Sequence, residues 1–177
     1  PVHHPEPERL MEYAAGAASP AMDVLIAAHL SMCPTCRKTV ERLERMGGHM
    51  LESLGSDEDV VSMSPGAFDA LLEKLDLPED APQTEAAEDF DPLPGVDLPA
   101  PIRETLRNLG HPLEWRSRGK GIEEAEIPLP TDVDDAVRMS LLRIQPGRAV
   151  LEHTHDGGEE LTMVLAGGFS DEHGHYV

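Results

Sequence analysis

The sequence predicts two domains, an all-α unit followed by an all-β unit. Three observations predict this: apolar spacing is helical up to about residue 75 and strand-like after about residue 120, and a proline-rich acidic stretch separates the two regimes. The 177 residues carry 34 acidic and 14 basic side chains, a formal charge of -20, and only 3% aromatic residues. Modest cores joined by open chain fit this composition better than one large domain.

Taken in order, Leu10, Met11, Ala14 and Ala15 predict a short first helix. Asp23 to His29 belong to a second, whose apolar residues Val24, Leu25, Ala28 and Met32 face a partner helix. Arg37 to Leu54 predict a third. Ser64-Pro65-Gly66 has the form of an N-cap with proline at the first helical position, opening a fourth helix with an apolar stripe of Phe68, Leu71, Leu72 and Leu75. The breakers Ser19-Pro20, Cys33-Pro34 and Gly47-Gly48 fall where helices start or stop. Residues 1–76 therefore form a bundle of three to four helices.

Residues 77–99, with their prolines and carboxylates and little apolar periodicity, read as an extended, solvated linker. Residues 100–177 open with a helical segment, Ile102 to Leu109. Short runs rich in Val, Ile, Leu and Thr follow: Ile122 to Ile127, Ala136 to Ile144, Ala149 to His153 and Leu161 to Leu165. They predict antiparallel strands of a barrel or sandwich, too few to close it, so the C-terminal domain is expected to be incomplete.

The charge excludes direct nucleic-acid binding, which needs a concentrated basic patch. No apolar run is long enough to span a membrane, and the first residues form no signal peptide, so the expected location is the cytoplasm. In a reducing compartment a Cys-x-x-Cys points to metal or redox chemistry.

Cys33 and Cys36 are that pair, with His29 one helical turn upstream. If the second helix runs through Cys33, His29 and Cys33 share a face, and Pro34 turns Cys36 back towards them. Structural zinc takes four such ligands, and an N-terminal histidine, His4 or else His3, completes a His2Cys2 set. A buried helix histidine beside two inert thiols is the plainer alternative; the histidine at i-4 and the spare pair upstream weigh against it. A thioredoxin-like dithiol lacks its βαβ surroundings.

A second constellation is Gly147-x5-His153-x-His155-x4-Glu160-x6-Gly167. Two histidines at i and i+2 of a strand point to one face, and a turn through Asp156-Gly157-Gly158 brings Glu160 alongside. Strand alternation places Thr162 and Val164 with Glu160, and Leu161, Met163 and Leu165 opposite. Three such ligands suit a divalent metal, zinc by preference, with positions left open.

The early His3-His4-Pro5, the His29-x3-Cys33-x2-Cys36 element and the block Leu43 to Gly48 resemble the zinc-binding anti-sigma factors. The second constellation is similar to the first cupin motif, which narrows the resemblance to the ChrR type. The resemblance implies a zinc-stapled helical domain that sequesters an extracytoplasmic-function sigma factor, followed by a jelly-roll cupin domain that makes release respond to singlet oxygen or related oxidants. Its first and fourth helices contact sigma, which puts Leu10, Met11, Phe68, Leu71, Leu72 and Leu75 on the partner-binding surface. An acidic chain suits a partner that itself binds DNA and polymerase. The competing function is a metal-dependent cupin enzyme, dioxygenase-like, with a zinc appendage; against it, no further acid-base or nucleophilic set accompanies the cupin residues, so no catalytic residue is expected.

Overall fold

The first helix, α1, spans Pro7–Ala14, with proline at its start where no amide partner is needed. Ser19 caps the second, α2 (Pro20–Met32), its Oγ accepting from the Met22 amide at 3.4 Å. Pro34 then starts α3 (Pro34–Leu54), and α4 (Ala67–Leu75) follows. The computed structural model describes residues 2–54, 62–75, 91–129, 137–150 and 158–177.

Two local expectations are corrected. Gly47-Gly48 does not end a helix: α3 runs through both, at the cost glycine carries in a helix interior. Ser64-Pro65-Gly66 is a turn ahead of α4 and not its cap, with the Ala67 amide bonded to the Ser64 carbonyl at 3.0 Å and Gly66 at φ +80°. Proline followed by a left-handed glycine at the central positions is what a type II turn asks for.

Leu10, Ile26, Leu30, Cys33, Cys36 and Val40 form the core of the α1–α3 bundle. Beyond Leu43 every residue of α3 is exposed, including Met46, Met50, Leu51 and Leu54, so its C-terminal half overhangs the bundle.

The second unit begins earlier than the linker reading placed it. Leu93 and Leu98, within the stretch expected to be solvated, are buried together with Ile102 and Leu106 of α5 (Ala100–Asn108) and with Ile127 and Leu141. These last two come from β2 (Ile122–Ile127) and β3 (Met139–Ile144), which pair antiparallel and, with β1 (Arg116–Gly119), make a sheet of order β1-β2-β3. A separate hairpin pairs β4 (Phe169–Ser170) with β5 (His175–Tyr176). Among the described residues the unit is thus the one expected helix, α5, and two small antiparallel sheets.

Residues 161–165 form no strand; Met163 and Leu165 pack on the core and Thr162 is exposed, but Val164, expected on the side of Thr162, is half-buried. Of the expected strand 149–153, residues 151–153 lie outside the described residues, as does residue 136.

Helix α2 joins the units. It is apolar nearly all round: Ile26 and Leu30 face the bundle core, whereas Ala28 and Val24 pack into the core of the second unit, against α5. The partner helix for Val24 and Ala28 is therefore α5.

Candidate metal centre

The residue before a proline is forced out of helical conformation, and Cys33 obeys. It ends α2 at φ -111°, ψ 101°, while its amide still bonds the His29 carbonyl at 2.9 Å. That bond keeps Cys33 one turn beyond His29. Pro34 restarts the helix at once, and three residues later the Cys36 amide donates to the Cys33 sulfur at 3.5 Å. A single pre-proline break thus folds three donors onto one point.

The fourth comes from the irregular segment before α1. His4 Nδ1 lies 3.4 Å from Cys33 Sγ and 3.3 Å from Cys36 Sγ, with its ring edge-on to His29 at 5.6 Å between centroids. One ligand atom from each of His4, His29, Cys33 and Cys36 falls within 4.8 Å of all the others. His3, the alternative donor, is elsewhere: its ring packs on Tyr176, centroids 4.6 Å apart.

The cysteines are free thiols, buried at 1% and 4% exposure. Burial and the neighbouring Cys33 sulfur push the Cys36 thiol up to about 11. Burial opposes ionisation of Cys33 as well, but the Cys36 and Thr35 amides and the Cys36 thiol outweigh it and lower its pKa. His29 is held below its ordinary value by burial, then by His4, and is neutral. A neutral imidazole and a stabilised thiolate are the forms that ligate a metal.

The decisive atom is His29 Nε2. It is buried and has no hydrogen-bond partner among the described residues, which costs stability unless an electrophile meets it. Two sulfurs and two imidazoles fit a thiophilic divalent ion, zinc foremost.

The second constellation lies partly outside the described residues. His153 and His155 lie outside the described residues; Glu160 is described and exposed. Of the residues expected on a partner surface, Met11, Phe68, Leu71, Leu72 and Leu75 are exposed, between 44% and 72%. Leu10 is corrected: at 4% exposure it is a core residue of the bundle, because α1 turns that side onto α2 and α3. Two features escaped sequence reasoning. The exposed Met46, Met50, Leu51 and Leu54 at helical spacing were legible in principle. The pairing of Arg9 with Glu159, between residues 150 apart, left no local signal.

A zinc-finger family model matches residues 8–37, and the ChrR Cupin-like domain model matches residues 110–177. The chain is 35% identical over 172 residues to the anti-sigma-E factor ChrR of Cereibacter sphaeroides, covering 96% of this chain and 73% of that protein. It also superposes on a chain of the crystal structure of Rhodobacter sphaeroides SigE in complex with the anti-sigma ChrR, with TM-score 0.72, 30% identity, and coverage of 98% of this chain and 81% of that one. No helix among the described residues is long and apolar enough to cross a membrane. A His2Cys2 donor set gathered at the α2–α3 junction, a following cupin-like unit and kinship along nearly the whole length together place the chain in the ChrR family of zinc-finger anti-sigma factors.

Proposed function

We propose that this chain sequesters an extracytoplasmic-function sigma factor in the cytoplasm through its helical unit, residues 1–76, and releases it in response to singlet oxygen or a related oxidant. The observation that carries the reading is α4: none of its nine residues is buried, although Phe68, Leu71, Leu72 and Leu75 form an apolar stripe. A nine-residue helix with no core of its own gains little from folding alone, and such a stripe is the form in which an amphipathic helix docks on another protein. Met11, exposed on α1, is the other residue assigned to sigma binding.

His4, His29, Cys33 and Cys36 are the residues that would hold zinc, which when bound supplies a cross-link between the N-terminal segment and the α2–α3 junction. The buried thiols keep solvent from that junction, and His29, held neutral by burial, has its buried Nε2 without a hydrogen-bond partner among the described residues. In the second unit His153, His155 and Glu160 would hold a divalent metal, zinc by preference, and make the unit a sensor. The chain acts by binding and not by turnover.

The test is retention of a sigma factor by the tagged full chain from the source organism, identified by mass spectrometry. Recovery of one sigma factor, lost on zinc chelation and in a Leu72→Glu variant, is the expected result. Retention of no sigma factor overturns the proposal. For the trigger, His153→Ala with Glu160→Ala separates two routes: an oxidant response that survives assigns the trigger to the Cys33 and Cys36 thiolates.

A further inference from the structure

Three of the four donors sit on α2, on α3 or at the break between them, and one does not. His29, Cys33 and Cys36 belong to the α2–α3 junction and are buried, whereas His4 is exposed and lies on a segment with no helix or strand, ahead of an α1 whose N-cap, Glu6, makes no side-chain capping bond. Something else must hold that segment against the thiols.

The contacts that do so come from the second unit. The His3 ring, one residue from the donor, lies on Tyr176 of β5 at 4.6 Å, and Tyr176 is itself stacked on Phe169 of β4 at 4.7 Å. On the first turn of α1, Arg9 donates from both Nε and Nη2 to the Glu159 carboxylate, a two-pronged pairing that fixes direction as well as distance. Glu12 braces the same guanidinium at 2.6 Å. The donor segment is thus gripped on both sides of His4 by residues more than 140 positions away.

We propose that Tyr176 and Glu159 are positioning residues for the metal centre: the C-terminal unit holds His4 in place, so that the lifetime of bound zinc is set in part outside the zinc-finger sequence. This rests on zinc at His4, His29, Cys33 and Cys36. When the second unit shifts, the His3 and Arg9 contacts go first, and the metal is left with the three donors of the helix junction.

The experiment is zinc release from the full chain to an excess of a chromophoric chelator, followed by absorbance. Tyr176→Ala and Glu159→Ala are expected to speed release by about twofold to fivefold each, the scale of contacts at a partly exposed surface. Tyr176→Phe, which keeps the ring, is expected to release at the parent rate. Arg9→Ala with Glu159→Ala is expected to release no faster than Arg9→Ala, because the two make one interaction. Arg103→Ala, which removes a surface pair with Asp97 and a bond to the Leu98 carbonyl but touches neither Tyr176 nor Glu159, is expected to change nothing. Parent-like release from Tyr176→Ala and Glu159→Ala, or equal acceleration by Arg103→Ala, overturns the inference while leaving the zinc reading intact. A parent protein that carries no zinc overturns both.

Discussion

Replacing Cys36 by serine removes one metal donor with almost no change of shape, and its effect can be sized from the bundle core. That core holds four aliphatic residues, Leu10, Ile26, Leu30 and Val40, beside the two cysteines. At about 1.5–3 kcal/mol for each buried side chain, they contribute roughly 6–12 kcal/mol in all. Structural zinc in small domains contributes about 10–16 kcal/mol near neutral pH, which is as much as the whole apolar core. Because a native domain keeps only about 5–15 kcal/mol of net stability, loss of the metal exceeds what the bundle has to spare. Cys36→Ser is therefore expected to lose zinc and most of the helical far-ultraviolet ellipticity of α1 to α3, and chelation of the parent protein is expected to do the same. Circular dichroism with metal analysis on one sample decides it. A zinc-free variant with native ellipticity and an unshifted melting temperature would refute the argument that this core depends on a cross-link.

Three further outcomes are expected. Leu72→Glu on the exposed face of α4 should leave the melting temperature unchanged yet weaken sigma binding about 30-fold or more, as central apolar anchors do, measured by titration calorimetry. Gly48→Ala meets nothing within 4 Å and lies inside α3, so it should stabilise the helix by about 0.5–1 kcal/mol, read from chemical denaturation. In the β4–β5 turn, burial works against ionisation of Asp171, but the His173 and Gly174 amides it accepts from prevail and depress its pKa. A depressed carboxylate stabilises above its ordinary range and loses that contribution as pH falls through the lowered value. The pH-dependent movement of the two amide resonances should accordingly be centred below the ordinary aspartate value; movement centred at the ordinary value would contradict the hydrogen bonding.

The helices and the donor set were legible because each left a local mark. Ser19-Pro20 and Cys33-Pro34 punctuate the chain in the way backbone sterics require, and His29, Cys33 and Cys36 are close enough in sequence for helix geometry alone to converge them. The choice between His3 and His4 was not legible: both precede α1 by a few residues, and what separates them is Tyr176, a tertiary contact. Leu10 was placed on the wrong side for a related reason. Its neighbour Met11 is equally apolar, and only the way α1 lies on α2 and α3 decides which of the two is covered. The burial of Leu93 and Leu98 is not legible within residues 77–99 because five prolines and many carboxylates surround them, isolated apolar residues with no periodicity. Gly47-Gly48 misled in the opposite sense, since an overhanging helix tolerates what a helix end would merely prefer.

Helix α2 serves as a common wall, and this bears on how the molecule comes apart. Ala28, fully buried, closes the core that holds Ile102 and Leu106, while His29, the next residue, faces the metal centre. Melting α2 would strip the lid from the other unit, so neither half keeps a private free energy of unfolding. Trp115, the single tryptophan of the chain, packs on that second core. Its fluorescence thus becomes a remote gauge of events at two buried thiols it never touches.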